Sequence, residues 1–136
     1  KQYVGLPDTL GNVLLTPTRI YVKPVLQALE QVDIHAICHI TGGGFDENIP
    51  RVLQPGQGIF VQEGSWEMPP IFPFLEKYGK VDHREMFNIF NMGVGLVLVV
   101  HPDDADKTIS LFQSLGEKAS VIGRVTDKEG VEIALL

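Results

Sequence analysis

Residues 93–100 read GVGLVLVV, eight positions without a charge or a hydrogen-bonding side chain. The run is far too short to cross a bilayer. It has to be hidden inside a folded domain, and its valines favour a strand. A continuous apolar pattern without a polar alternate face predicts the centre of a sheet, buried on both sides. Such a sheet needs layers to cover it. A chain of 136 residues, 44% hydrophobic and 21% charged, is long enough to supply them from one domain.

The rest of the chain supplies further strands and helices in alternation. IHAICHIT, 34–41, reads as a strand with Ile34, Ala36, Cys38 and Ile40 on one face. His35, Ile37, His39 and Thr41 share the other. GIFVQ, 58–62, is a further strand, and ASVIGRVT and VEIALL close the chain as strands joined by a DKEG turn. VLL at 13–15 reads as a short strand. Val22, Val25, Leu26 and Leu29 recur at helical spacing, so a helix is expected over about residues 20–31. Thr16, Pro17 and Thr18 would form its entry, with Pro24 in the first turn or at a kink. FDENIPRVL predicts a short helix. PPIFPFLEKYG and HREMFNIFN predict two more, and Trp66, Phe72, Phe74, Phe87 and Phe90 read as core. The clearest helix follows His101. Pro102 starts it, Asp103 and Asp104 favour its positive end, and Ala105, Ile109, Phe112 and Leu115 turn inward before Gly116 stops it. This order predicts one α+β domain over residues 1–136, a layered sandwich of a mixed β-sheet with packed α-helices.

Charge and residue counts exclude several classes. A net charge of −6 argues against a broad nucleic-acid surface but leaves room for a local basic pocket. The single cysteine, Cys38, permits no internal disulfide and suits a reducing cytoplasm. His35, His83 and His101 are scattered, with no metal-ligand spacing and no cysteine partners, so no bound metal is expected. No Walker motif and no G-x-S-x-G elbow is present, and the G-x-G of FNMGVGL lacks the third glycine of a dinucleotide fingerprint. No signal peptide or membrane span is visible. The chain opens KQYVGLPDTLG, without an initiator Met, as a piece of a longer polypeptide would.

HITGGGFDENIP, 39–50, is where chemistry is expected. A strand end, three glycines and a helix start would leave backbone N–H groups bare, a nest suited to a phosphate. Strand alternation puts His39 and Thr41 on one face leading to Gly42, Gly43 and Gly44. His39 would donate to a phosphoryl oxygen or move a proton. The same residues equally read as a tight turn beside an ordinary histidine. Asp46 and Glu47 read as magnesium ligands or as first-turn acids. Arg19 and Lys23, four apart on one helical face, read as phosphate contacts or as solvated charges. Asn91 marks the entry to the apolar strand and reads as a ligand contact or a turn residue.

Five stretches in order, LLTPTRIYVKPVL, HITGGGFDENIPRVL, WEMPPIFPFLEKYGKV, EMFNIFNMGVGLVLVV and GEKASVIGRV, resemble the C-terminal domain of the phosphoribosylformylglycinamidine cyclo-ligase (AIR synthase) family. The resemblance runs from about Leu10 to Val125, with Phe45 where Leu is common and Met92 where Cys is common. It implies an AIR synthase C-terminal-domain fold and a cytoplasmic enzyme of purine biosynthesis. In that family ATP activates the formyl oxygen of formylglycinamidine ribonucleotide, and ring closure yields aminoimidazole ribonucleotide, ADP and phosphate. It also implies a missing N-terminal domain that binds most of the ATP and Mg2+ and forms a homodimer, so that this chain alone would be inactive. Carried onto this sequence, it makes His39 the residue that orients or protonates the activated oxygen. Thr41, Gly42, Gly43 and Gly44 become phosphate or substrate contacts. Asn91, Arg19 and Lys23 remain weaker candidates for the same phosphorylated substrate. Related ATP-using enzymes of the selenophosphate synthetase or thiamine-monophosphate kinase type share the domain pattern. A non-catalytic module binding a phosphorylated metabolite is the alternative from a different class.

Overall fold

In the computed structural model, which describes residues 1–136, five strands form two sheets rather than one. Strand β1 (Ile34–His39) pairs antiparallel with β3 (Leu96–Val100), His39 opposite Leu96 and Cys38 opposite Val97. Strand β2 (Gly58–Gln62) is the centre of the other sheet, antiparallel to β4 (Gly123–Thr126) and parallel to β5 (Gly130–Ala134). The helices are α1 (Leu10–Leu14), α2 (Val22–Leu29), α3 (Gly44–Asn48), α4 (Ile71–Gly79), α5 (His83–Ile89) and α6 (Ala105–Ser114). The expected α+β architecture of helices on mixed sheets is therefore present.

Local signals set most element ends. Asp82 caps α5, its Oδ1 accepting from the amides of Arg84 and Glu85 at 3.0 and 3.2 Å. Lys80, at φ 54°, ends α4 in the left-handed conformation. Gly116, at φ 83°, stops the α6 segment as expected. The core joins Cys38 on the inward face of β1, and Ile40 just after it, to Phe45, Ile49, Met86 and Phe87. Phe45 stacks on Phe87 at a centroid distance of 5.6 Å and meets the edge of Trp66 at 6.0 Å.

Several sequence expectations need correction. Residues 13–15 are helix and loop, not strand, because Thr9 caps α1 by accepting from the Asn12 amide. Residues 16–20 are not a helix entry. The helix begins at Val22, Tyr21 makes no side-chain cap, and Pro24 falls in the first turn, where it lacks no needed donor. The apolar run 93–100 is not a sheet centre. Only Leu96–Val100 is strand, its sheet has two strands with open edges, and each of its residues keeps partial exposure. In α6, Thr108 and Phe112 are buried, whereas Leu115 is exposed. The DKEG turn does not make a hairpin, because β2 lies between β4 and β5. The turn crosses the start of β2, where a Cβ on Gly58 would overlap the carbonyl oxygen of Lys128 and lie 2.5 Å from that of Gly130.

An ion clasp not foreseen in the sequence ties the second sheet to α4 and α5. His83 Nε2 lies 2.9 Å from Oε1 of buried Glu63, and Nδ1 lies 2.9 Å from Glu76 Oε2. Glu63 also accepts from the Leu136 amide at 2.9 Å, which fixes the end of the chain. The hydrogen bond to Glu63, then that to Glu76, raises the His83 pKa above its ordinary value, against the opposing effect of desolvation.

Two predictions follow from this packing. Gly58→Ala is expected to lose about 3 kcal/mol in urea denaturation, since the overlap is with backbone that cannot rotate away. An unchanged midpoint would mean the crossing turn is loose. For His83, a raised folded-state pKa stabilises below the unfolded value of about 6.5, and the contribution disappears as pH rises through the folded value. The stability gap between the native chain and His83→Gln is therefore expected to be wide near about pH 6 and to shrink toward about pH 9. A gap that is flat or widens would show a neutral His83 in the folded chain.

Candidate functional site

The three glycines after β1 have three different jobs. Gly44 is buried at φ 56°, and a Cβ there would overlap the carbonyl oxygen of Phe87 and lie 2.8 Å from that of Phe90. It is a packing glycine that lets α3 touch α5. Gly43, at φ 91°, is left-handed, and its missing Cβ leaves room for the Glu47 side chain, with Oε2 2.5 Å from the Cβ position. Gly42 is exposed with nothing near its Cβ position. Neither the Gly42 nor the Gly43 amide has an acceptor in the chain, so both are open to a ligand. The nest is thus smaller than three glycines promise. Helix α3 has only five residues and adds little macrodipole, contrary to the expected helix backing.

Buried Asn48 holds this loop. Its Nδ2 donates to the carbonyl oxygens of Gly44 at 2.8 Å, Gly42 at 3.2 Å and Thr41 at 3.3 Å. Its Oδ1 accepts from the Thr41 hydroxyl at 3.4 Å. With the carbonyls gathered on Asn48, the Gly42 and Gly43 amides are left without internal bonds. Asp46 is occupied elsewhere: Arg84 grips it through two hydrogen bonds of 2.7 and 2.6 Å. Glu47 folds over Gly43 and reaches Arg51 at 3.8 Å. No group of three His, Cys, Asp or Glu side chains is arranged to hold a metal ion.

His39 ends β1 on its exposed face, and neither ring nitrogen has a partner in the chain. Its ring meets that of Tyr21 in a T-shaped contact, 5.9 Å between centroids and 72° between planes. Burial pushes the Tyr21 phenol up, so it stays neutral. Thr41 is exposed two residues beyond the strand. The structure therefore brings His39, Thr41, Gly42 and Gly43 to one edge.

The remaining candidates are placed differently. Arg19 lies in the irregular stretch before α2, so it does not share a helical face with Lys23. Its guanidinium pairs with Glu117, which raises its pKa and holds the charge. Lys23 is exposed on α2 without an ion pair. Asn91 holds a turn: its Oδ1 accepts from the Gly93 amide at 3.0 Å, and its carbonyl accepts from Val94 at 2.8 Å. Buried Met92 in this turn is left-handed at φ 49°, and its carbonyl accepts from Trp66 Nε1 at 2.9 Å. Cys38 is buried, and desolvation raises its thiol pKa, which makes it inert packing. Tyr21 and Asn48 were missed in the sequence. Tyr21 was hidden inside an expected helix, and Asn48 carries no motif that marks it as buried.

The fold and this edge define a domain class. A family model described as AIR synthase related protein, C-terminal domain, matches residues 3–135, and the chain belongs to that family. Phosphoribosylformylglycinamidine cyclo-ligase of Bacillus subtilis is 53% identical over 129 residues, 95% of this chain and 37% of the relative. That of Bacillus velezensis is 52% identical over 129 residues, again 95% and 37%. That of Oceanobacillus iheyensis is 44% identical over 133 residues, 98% of this chain and 39% of the relative. The chain thus spans less than two fifths of these curated relatives. Among solved structures, E. coli HypE, a hydrogenase maturation protein, aligns with a TM-score of 0.69 at 22% identity, over 98% of this chain and 40% of its own. That likeness is one of fold alone.

Asn48→Ala is expected to cost about 2–3 kcal/mol, measured by urea denaturation, as three carbonyls lose a shared donor. Asn48→Asp should lose more at neutral pH, where a carboxylate would face carbonyl oxygens, and recover as the pH falls. Native-like stability in both variants would mean that glycine conformation alone shapes the loop.

Proposed function

We propose that this chain is the C-terminal domain of a phosphoribosylformylglycinamidine cyclo-ligase, the purine-biosynthesis ligase that forms aminoimidazole ribonucleotide. The observation that carries the reading is identity of 44–53% across 95–98% of the chain with proteins of that name. The edge of β1 supports it with suitable chemistry: an imidazole, a hydroxyl and two free amides side by side.

In this reading the Gly42 and Gly43 amides bind a phosphate or developing oxyanion of the substrate. Asn48 keeps them aimed by holding the neighbouring carbonyls. Thr41 offers its hydroxyl beside them. His39 orients or protonates the formyl oxygen that leaves as the ring closes, which is electrostatic rather than nucleophilic assistance. Glu47 must swing off Gly43 for an anion to approach. It is exposed and held only by a 3.8 Å contact with Arg51, so the movement costs little.

ATP supplies the phosphoryl group that activates that oxygen. This chain's side chains do not fit a magnesium ion, because no three of them are arranged to ligate one and Asp46 is committed to Arg84. ATP, magnesium and the homodimer contacts therefore belong, in this proposal, to the N-terminal domain that makes up the rest of the polypeptide. A cytoplasmic setting belongs to the same reading. No helix is long and apolar enough to cross a membrane.

The test is ADP release that depends on formylglycinamidine ribonucleotide. The full-length polypeptide should show it, and this chain alone should not. His39→Ala in the full-length protein is expected to lower kcat at least about tenfold, within the range of acid–base groups, without loss of fold. Unchanged kinetics in a folded variant would remove His39 from the mechanism. ADP release indifferent to that substrate would sink the cyclo-ligase reading.

A further inference from the structure

We infer that Tyr21 is the positioning residue for His39: its ring packs across the imidazole, and its hydroxyl is seated on the bare backbone of Gly95. The inference rests on the reading above for its catalytic meaning, but the packing itself does not.

His39 needs an external restraint. It stands at the exposed end of β1, and neither nitrogen is bonded within the chain, so no hydrogen bond sets its rotamer. The T-shaped contact with Tyr21 is the aromatic packing it has, and such pairs have preferred geometry. Tyr21 is itself well held. Arg19, two residues before it, is tied to Glu117 after α6, and the Tyr21 carbonyl accepts from the Val25 amide at 3.0 Å in the first turn of α2. A Cβ on Gly95 would overlap the Tyr21 hydroxyl, so this glycine makes the seat. The Gly95 carbonyl in turn accepts from the Ile40 amide at 2.9 Å, directly after His39. Tyr21, Gly95 and the His39–Ile40 end of β1 therefore form one unit. The space left by the glycine before β3 is filled by a side chain of the same protein.

The test compares three variants in two measurements. With four histidines in the chain, the imidazole resonances of His39 can be assigned by substitution and followed by NMR. Tyr21→Leu removes the ring. Gly95→Ala leaves every other side chain intact and displaces the Tyr21 ring, and Gly95 has no positive φ that alanine would resist. Both should move the His39 resonances, and both should lower kcat of the full-length enzyme roughly tenfold or more with little change in KM. Tyr21→Phe keeps the ring and should restore both properties. His39 resonances that stay in place in Tyr21→Leu and Gly95→Ala would overturn the inference. So would a Tyr21→Phe rate as low as that of Tyr21→Leu, because the hydroxyl would then act on the substrate directly. Failure of the cyclo-ligase reading appears separately, as ADP release indifferent to the substrate, and failure of the His39 role as an unchanged rate in His39→Ala, whereas the resonances report the packing without reference to activity.

Discussion

Helices α3 and α5 touch backbone to backbone at Gly44, and the outward-facing loop is aligned by that contact. There is no space for a side chain between Gly44 and the Phe87 carbonyl. The next residue, Phe45, enters the slot between Phe87 and Trp66 and is fully buried, which contributes about 1.5–3 kcal/mol. Asp46 then meets Arg84 through two short hydrogen bonds, closing the same junction from the surface. Three successive residues thus fix α3 by close approach, by burial and by charge. The loop before it inherits its position.

That arrangement lets β1 serve two purposes. Its inward-facing Cys38, with Ile40 just after the strand, joins the core, while its outward residues end in an imidazole with unbonded nitrogens. Asn48 links the two sides. It is buried like a core residue, yet it spends its amide on the loop carbonyls and so leaves the loop amides free. Polar groups inside a fold must be paired, and here the pairing also creates the ligand-facing surface.

The second sheet is held by different means. Its centre, β2, is locked by the crossing turn at Gly58 and by the Glu63–His83–Glu76 clasp that also anchors Leu136. The first sheet, with two strands, has open edges and partly exposed apolar residues. The domain spans less than two fifths of its curated relatives.

Periodicity and turn chemistry made much of the fold legible: the faces of β1, the core roles of Phe87 and Trp66, the stop at Gly116 and the α+β order all follow from local pattern. The strand-to-glycine motif also marked the edge where His39, Thr41, Gly42 and Gly43 meet. Local pattern carries no information about partners distant in the chain. It could not show that β2 would separate β4 from β5, since a short turn between two strands reads the same whether or not a third lies between them. It could not distinguish three adjacent glycines, because only the neighbours of each decide whether it opens to solvent, receives Glu47 or presses on Phe87. It placed Arg19 beside Lys23 and left Tyr21 unremarked, because the irregular entry to α2 is held through Arg19 by Glu117, 98 residues away. The sequence by itself determined the interleaved order of helices and strands and the two faces of β1, through spacing and side-chain type. Only tertiary structure decided which polar groups stay free for a ligand, because that depends on which ones the folded chain has already used.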